Sequence, residues 1–214
     1  YRRVRVGFFC SGSELIGLDQ KIAPGKKVSS NRYLLDGLIR TCNAVPLDCG
    51  VAVDNRSSLA ALLSEIAERD VDIIISTGGL GPGKYDLLES VFSEAGGRLS
   101  YRSLLVRPGK ATLFGTINGK LFFGLPGPPP AVRILFNELI VPALKKMSGL
   151  SLFAHRDRQA FLAHDVHLGS DGMCFLREGV TVAGESGTNV RFASDFEQAD
   201  CMVILPGGPS SRRK

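Results

Sequence analysis

The sequence has no apolar run that approaches the ~18 residues needed to span a membrane, so we expect no membrane partner. It begins at Tyr1 without an initiator Met or a signal peptide, and we expect it to be part of a longer protein. Its Lys and Arg residues are scattered and form no run with aromatic residues, which argues against a nucleic-acid partner. A net charge of +5 still favours anionic ligands.

The five cysteines form no CxxC pair, and nothing rich in Cys or Asp joins the three histidines to complete a metal set. An odd cysteine count without metal spacing is typical of buried, reduced thiols in a cytoplasmic protein. The content of 44% hydrophobic and 22% charged residues is that of an ordinary globular protein. A length of 214 residues allows one full domain and a small second one.

Strand-like and helical segments alternate through residues 1–149. Residues 4–10 and 71–76 are apolar runs of the kind found in buried strands, and Asn31 can cap the helix that follows the first run. Asn118-Gly119 predicts a type I′ hairpin turn, and Gly149 closes a long final helix. The pattern predicts a three-layer α/β/α sandwich with a mostly parallel sheet.

The pattern changes to short strand-like segments from residue 150 onwards. These segments cover residues 153–167, 173–177, 180–183 and 201–205, and turns separate them. We therefore predict two domains, an α/β/α domain at 1–149 and a small β-barrel-like domain at 150–214.

The stretch IISTGGLGPGKYD, residues 74–86, fits the phosphate-binding P-loop pattern except at its last position. That position needs Ser or Thr to hold Mg²⁺, and this chain has Tyr85; Pro82 also removes an N–H group. The features that remain predict a different anion-binding turn at the carboxyl end of a buried strand. Its residues are Thr77, Gly78, Gly79, Gly81 and Gly83, and Asp86 stands in the first helical turn, as a helix-start carboxylate or a metal ligand.

Three other loops leave strands in a similar way. Residues 11–14 bring Glu14 towards the same edge, and Arg107-Pro108-Gly109-Lys110 sets two cations around a rigid turn. Pro126 and Gly127 lie between a strand and the long final helix. We expect these loops to converge with the glycine loop at one edge of the sheet.

Together, these motifs resemble the molybdopterin molybdotransferase family, which includes the MoeA proteins and the gephyrin E domain. The motifs are SGSEL, SSN before a helix, Asp54, TGG…G…YD, RPGK and LPGPP, in this order over residues 4–149. The resemblance implies the molybdenum cofactor biosynthesis fold, a homodimer, and the insertion of molybdate into adenylylated molybdopterin with release of AMP. It implies molybdopterin and molybdate as substrates and Mg²⁺, or another divalent cation, as cofactor.

The resemblance also implies roles for individual residues. Asp86 and Glu14 would hold the metal and, with Lys110, serve catalysis. The substrate would be bound by a larger set comprising Asn31, Thr77, Gly78, Gly79, Gly81, Gly83, Arg107, Gly109, Pro126 and Gly127. The chain departs from the family where GDEL becomes GSEL, with Ser13 in place of a carboxylate, and where LPGNP becomes LPGPP.

Two alternatives remain open from the sequence. One is a degenerate, non-catalytic pterin-binding module, because Ser13 and the LPGPP loop lack ligand side chains that the family carries. The other is a nucleotide pyrophosphatase resembling the CinA family, because residues 77–82 read TGGLGP as they do in those proteins.

Overall fold

The computed structural model describes residues 2–80, 87–151, 158–166, 172–182, 188–194 and 197–206. The chain divides into two compact units, Tyr1–Leu104 with Ala111–Ala154, and Leu105–Lys110 with His155–Lys214. The strands are β1 (Arg5–Ser11), β2 (Leu15–Ile16), β3 (Lys27–Val28), β4 (Val45–Ala52), β5 (Ile73–Thr77), β6 (Arg98–Tyr101), β7 (Val106–Arg107), β8 (Leu113–Ile117), β9 (Lys120–Leu125), β10 (Phe161–Leu162), β11 (Cys174–Val182), β12 (Asn189–Phe192) and β13 (Cys201–Leu205). The helices are α1 (Ser30–Thr41), α2 (Arg56–Glu68), α3 (Leu88–Glu94), α4 (Pro129–Leu135) and α5 (Val141–Met147), with a π-helical turn at Phe136–Ile140.

The first unit is built on a six-stranded sheet in the order β4-β1-β5-β9-β8-β6. The first four of these strands are parallel, and β8 and β6 are antiparallel to their neighbours. All five residues of β5 are buried, as expected for a central strand covered on both faces. Helix α1 contacts α4, and α2 contacts α3. The predicted sandwich with a mostly parallel sheet is confirmed.

Two turns of the first unit form as the sequence predicts. Asn118 and Gly119, between β8 and β9, have φ angles of 48° and 74°, which is the geometry of a type I′ turn. Gly149 has a φ of 80°, and its N–H donates to the Lys146 carbonyl at the end of α5. No helix in the described ranges is both long and apolar enough to cross a membrane.

The start of α1 differs from the prediction. The N-cap position belongs to Ser29, and Asn31 lies inside the first turn, so the prediction that Asn31 caps the helix is wrong. Its side chain is only 9% exposed and points to other parts of the sheet edge. Three consecutive polar residues, Ser29-Ser30-Asn31, can all cap a helix, and tertiary contacts decide between them.

Two more elements depart from the sequence interpretation. Strand β6 was not predicted, because it is an exposed edge strand that lacks the apolar pattern of a buried strand. Helix α3 begins at Leu88, and the first helical turn predicted around Asp86 lies outside the described residues.

The second unit contains a sheet in the order β10-β12-β11-β13, with β7 also paired to β11. Instead of the two predicted strands at 173–177 and 180–183, β11 runs without a break through Gly179. A Cβ at Gly179 would lie 2.5 Å from Val203 Cγ2 and 3.0 Å from the Arg191 carbonyl oxygen. Close approach of neighbouring strands, and not a turn, therefore requires glycine there.

Candidate functional site

A cavity of about 270 Å³ opens in the first unit where β1, β5 and β9 end. Its lining residues come from the loops that follow these strands, from β3 and from the starts of α1 and α4: Ser11, Glu14, Leu15, Lys27, Val28, Ser29, Ser30, Asn31, Thr77, Gly127, Pro128 and Pro129. In parallel sheets the carboxyl ends of neighbouring strands form the usual place for a ligand. The structure thus brings four of the predicted site residues together at one cavity: Glu14, Asn31, Thr77 and Gly127.

Asn31 connects three of the elements around the cavity. Its Nδ2 donates to the Gly127 carbonyl at 2.8 Å and to Thr77 Oγ1 at 3.3 Å. A carbonyl oxygen can only accept, so the Gly127 contact determines which end of the amide is the NH₂ group. The two contacts use the donor hydrogens of the Asn31 side chain. They hold α1, β5 and the loop before α4 together and so shape the cavity.

Asp54 organises the loop that follows β1. Its Oδ1 accepts from Ser11 Oγ at 2.7 Å, and its Oδ2 accepts from the Ser13 N–H at 3.1 Å. The Asp54 N–H in turn donates to Ser13 Oγ at 3.1 Å. In the sequence Asp54 is only one member of the family motif. Its role depends on the pairing of β1 with β4, which brings together the loops that follow these two strands.

Glu14 forms an ion pair with a residue that the sequence analysis missed. Lys27 Nζ lies 2.9 Å from Glu14 Oε1, and the Lys27 N–H donates to the Glu14 carbonyl at 2.9 Å. The hydrogen bond from the Lys27 side chain is the main cause that lowers the pKa of Glu14. Glu14 is therefore a carboxylate at neutral pH, and its charge is balanced locally by Lys27. Lys27 stands in no motif, so no sequence signal marks it.

Gly78 allows the ends of β1 and β5 to approach closely. It has a φ of 88°, and a Cβ there would lie 2.4 Å from the Ser11 carbonyl oxygen. Its own N–H donates to the Leu125 carbonyl at 3.0 Å, so this N–H is not free for a ligand. Gly79 follows with a φ of 70°. The other predicted residues of this loop, Gly81, Gly83 and Asp86, lie outside the described residues.

The start of α4 presents proline rings to the cavity. Pro128 is at the N-cap position, and Pro129 and Pro130 are the first helical residues. None of the three has an N–H group, and the Val132 N–H donates to the Pro128 carbonyl. Only Ala131 therefore brings an N–H to the first turn of this helix. Pro126, half-buried, precedes Gly127 in the same loop.

The predicted cation turn belongs to the second unit. Arg107 lies in β7, where its guanidinium carbon is 5.8 Å from the centre of the Phe175 ring. Gly109 is buried and Lys110 is exposed. Their place beside the cavity of the first unit stays a prediction.

Residues 7–146 match the protein family described as "Probable molybdopterin binding domain". The chain belongs to this family. The match contains every residue that lines the cavity, and it confirms the resemblance seen in the motifs of the sequence.

The similarity of the chain to known proteins agrees with the family match. The chain is 38% identical over 154 residues to a molybdopterin molybdenumtransferase from Nostoc sp., covering 71% of this chain and 35% of the relative. It is 28% identical over 214 residues to a protein of the same name from Staphylococcus aureus, covering 95% and 50%. The crystal structure of the molybdopterin biosynthesis MoeA protein from Pyrococcus horikosii superposes with a TM-score of 0.78 at 26% identity, covering 97% and 51%.

The chain spans between 35% and 51% of the length of these relatives. The similarity to the Pyrococcus structure nevertheless extends over nearly all of this chain and therefore includes the second unit. The fold class predicted from the sequence is confirmed for both parts.

The described residues of the molybdopterin-binding domain do not form a fitting site for a divalent cation. Glu14 is paired with Lys27, and both oxygens of Asp54 accept hydrogen bonds from Ser11 and Ser13. Within the ranges that the structure describes, no three His, Cys, Asp or Glu residues are placed to share a metal ion. Asp86, the other predicted metal ligand, is outside these ranges.

Cys10 lies next to residues of the cavity but does not line it. It is completely buried, and burial raises the pKa of its thiol, although the neighbouring hydroxyls of Ser29 and Thr77 act in the opposite direction. A neutral, buried thiol is a poor nucleophile. All five cysteines are free, as predicted, but only Cys10 is buried and the other four are half-buried.

Proposed function

We propose that this chain binds molybdopterin, or its adenylate, in the cavity and takes part in inserting molybdate with release of AMP. The observation that carries this proposal is the meeting of the ends of β1, β5 and β9 at one cavity, inside the segment that matches the molybdopterin-binding family. Relatives named molybdopterin molybdenumtransferase support the reaction class. The pyrophosphatase and non-catalytic alternatives have no comparable support.

The residues of the cavity suit a ligand that is both planar and anionic. Thr77 places a hydroxyl group at its inner end, where the residue is buried. Lys27 adds a positive charge at its exposed side. The family resemblance also assigns the attraction of molybdate and phosphate to Arg107 and Lys110, which belong to the second unit and are not among the lining residues. Fixed dipoles and cations of this kind stabilise the charge that develops on a leaving phosphate.

The family resemblance assigns a divalent cation to Asp86 and Glu14, and these two carboxylates would hold it. When bound, Mg²⁺ would neutralise charge on the phosphate groups of the substrate. The proposal also includes that the protein acts in the cytoplasm and that it forms a homodimer. Light scattering of the purified chain would test the homodimer.

The test is titration of the 214-residue chain with adenylylated molybdopterin, using Thr77→Val as the variant. Valine keeps the shape of threonine but removes the hydroxyl, so we expect binding to weaken about tenfold or more. Thr116→Val, in β8 and away from the cavity, is the matched control and is expected to bind normally. Because Thr77 also accepts from Asn31, the melting temperature of each variant is recorded alongside.

AMP release is measured next, with molybdate and Mg²⁺ added and with EDTA as comparison. Release that requires molybdate supports the transferase. Binding without release supports the non-catalytic module instead, and absence of binding at micromolar concentrations overturns the proposal.

A further inference from the structure

The start of α1 faces the cavity with polar groups that have no oxygen or nitrogen partner. Ser29, at the N-cap position, is 1% exposed, and it does not cap the helix with its side chain. Its Oγ makes no hydrogen bond to oxygen or nitrogen and has only the weak sulfur partner Cys10 beside it. The Asn31 Oδ1 is likewise buried without a donor, but as an acceptor it would face a ligand N–H or O–H and not the oxyanion. Buried polar atoms of this kind are rare in folded proteins and call for a physical reason.

The same helix end is electrically suited to a negative charge. Helix α1 has twelve residues, and its first turn contains no acidic side chain. The first N–H groups of a helix have no acceptor within the helix, and the helix dipole adds a partial positive charge there. Ser29, Ser30 and Asn31, which form this end, all line the cavity.

Lys27 brings a full positive charge to this end of the cavity. Its ammonium group has three donors, of which Glu14 accepts one at 2.9 Å. Lys26 donates to the Ser13 carbonyl nearby. The other two ammonium donors of Lys27 can still point to an anion, so the pair with Glu14 does not exhaust its hydrogen-bonding capacity.

The start of α4 adds a different chemistry to the lining of the cavity. There α4 begins with three prolines, which present ring surfaces and have no N–H groups. Pro128 and Pro129 both line the cavity. The lining is therefore polar and positive at the start of α1 and apolar at the start of α4.

We propose that the start of α1 with Lys27 is an oxyanion subsite that binds a phosphate group of the substrate. The hydroxyls of Ser29 and Ser30, the first N–H groups of α1 and the Lys27 ammonium donate to the phosphate oxygens. The planar ring system of the ligand packs against Pro128 and Pro129. The orientation of the ligand rests on the proposed function. The phosphate subsite is independent of that function, because it rests on the groups at the start of α1 and on Lys27 alone.

The experiment uses inorganic phosphate as the probe and ¹H–¹⁵N NMR of the 214-residue chain at constant ionic strength, so that screening does not change. We expect saturable shifts of the Ser30 and Asn31 amide signals. Lys27→Gln and Ser29→Ala should each weaken phosphate binding, Lys27→Gln by about tenfold or more. Lys26→Gln is the matched control, since Lys26 does not line the cavity, and should bind within a factor of two to three. A molybdate titration shows whether the subsite takes phosphate or any tetrahedral oxyanion.

Several outcomes would overturn the subsite: phosphate shifts that spare Ser30 and Asn31, equal losses in Lys27→Gln and Lys26→Gln, or molybdate binding there more tightly than phosphate. Adenylylated molybdopterin separates this inference from the proposed function. If the pterin binds and neither Lys27→Gln nor Ser29→Ala weakens it, the function holds and the subsite is wrong. If phosphate binds at α1 and the pterin does not bind, the subsite holds and the function is wrong.

Discussion

Ser13 and Asp54 hold each other through two reciprocal hydrogen bonds. The Ser13 N–H donates to Asp54 Oδ2 at 3.1 Å, and the Asp54 N–H donates to Ser13 Oγ at 3.1 Å. In the family that the sequence resembles, position 13 carries a carboxylate. Here the neutral Ser13 hydroxyl accepts from the Asp54 N–H, and the Asp54 carboxylate accepts from the Ser13 N–H, so this pair carries a single negative charge.

Ser13→Asp should destabilise the protein when no metal is present. Two carboxylates would then face each other, and like charges about 4 Å apart in watery surroundings repel by about 1 kcal/mol. Urea unfolding in EDTA measures the loss, with Ser13→Asn as an uncharged control of the same shape. Adding Mg²⁺ should restore stability in Ser13→Asp alone. Equal stability of the two variants in EDTA would show that the charges do not interact.

Asn31→Asp should destabilise the protein strongly. The change removes the NH₂ group that bridges Gly127 and Thr77, and it places a charge beside the Gly127 carbonyl in a site only 9% exposed. We expect a loss of about 2 kcal/mol or more in the free energy of unfolding. The same change at Asn55 is the control, because Asn55 caps α2 by accepting the Ser58 N–H and a carboxylate does this equally well. Similar effects at both positions would contradict the bridging role.

Gly78→Ala should cost considerably more stability than Gly119→Ala. Both glycines have positive φ angles, 88° and 74°, so an alanine at either position would destabilise the protein by about 1 kcal/mol through backbone strain. At Gly78 the added Cβ also meets the Ser11 carbonyl oxygen at 2.4 Å, while at Gly119 nothing lies within 4 Å. Urea unfolding of the two variants isolates the contact. If both variants lose the same free energy of unfolding, the ends of β1 and β5 can move apart to accommodate the Cβ without destabilising the protein.

The Glu14–Lys27 pair should give a small, pH-dependent stabilisation. Because the folded-state pKa of Glu14 lies below its ordinary value of 4.5, the stabilisation is present above about pH 4.5. It disappears as the pH falls through the lowered pKa. The pair is partly exposed, so we expect only a few tenths of a kcal/mol.

NMR titration of the Glu14 carboxyl group measures this effect directly. In Lys27→Gln the pKa of Glu14 should rise towards 4.5, whereas in Lys26→Gln it should change less, since the Lys26 ammonium donates to the Ser13 carbonyl instead. A Glu14 pKa that is unchanged in Lys27→Gln would mean that the hydrogen bond has no energetic weight in solution.

Much of the fold could be predicted because local signals and the overall architecture agree. The apolar run before Thr77 becomes the central strand, and Asn118-Gly119 forms the expected hairpin turn. Strand β6 and the unbroken β11 could not be predicted, since edge pairing and the close approach at Gly179 leave no periodic pattern in the sequence.

The sequence by itself determined the order of the elements and the loops that end near the cavity, because the periodicity of apolar residues and the turn residues act locally. Only the tertiary structure decided that Asn31 bridges Thr77 and Gly127, that Asp54 holds Ser11 and Ser13, and that Lys27 pairs with Glu14. Except for Lys27 and Glu14, these partners are tens of residues apart along the chain. Their hydrogen bonds exist only because parallel strands bring distant loops to one edge of the sheet.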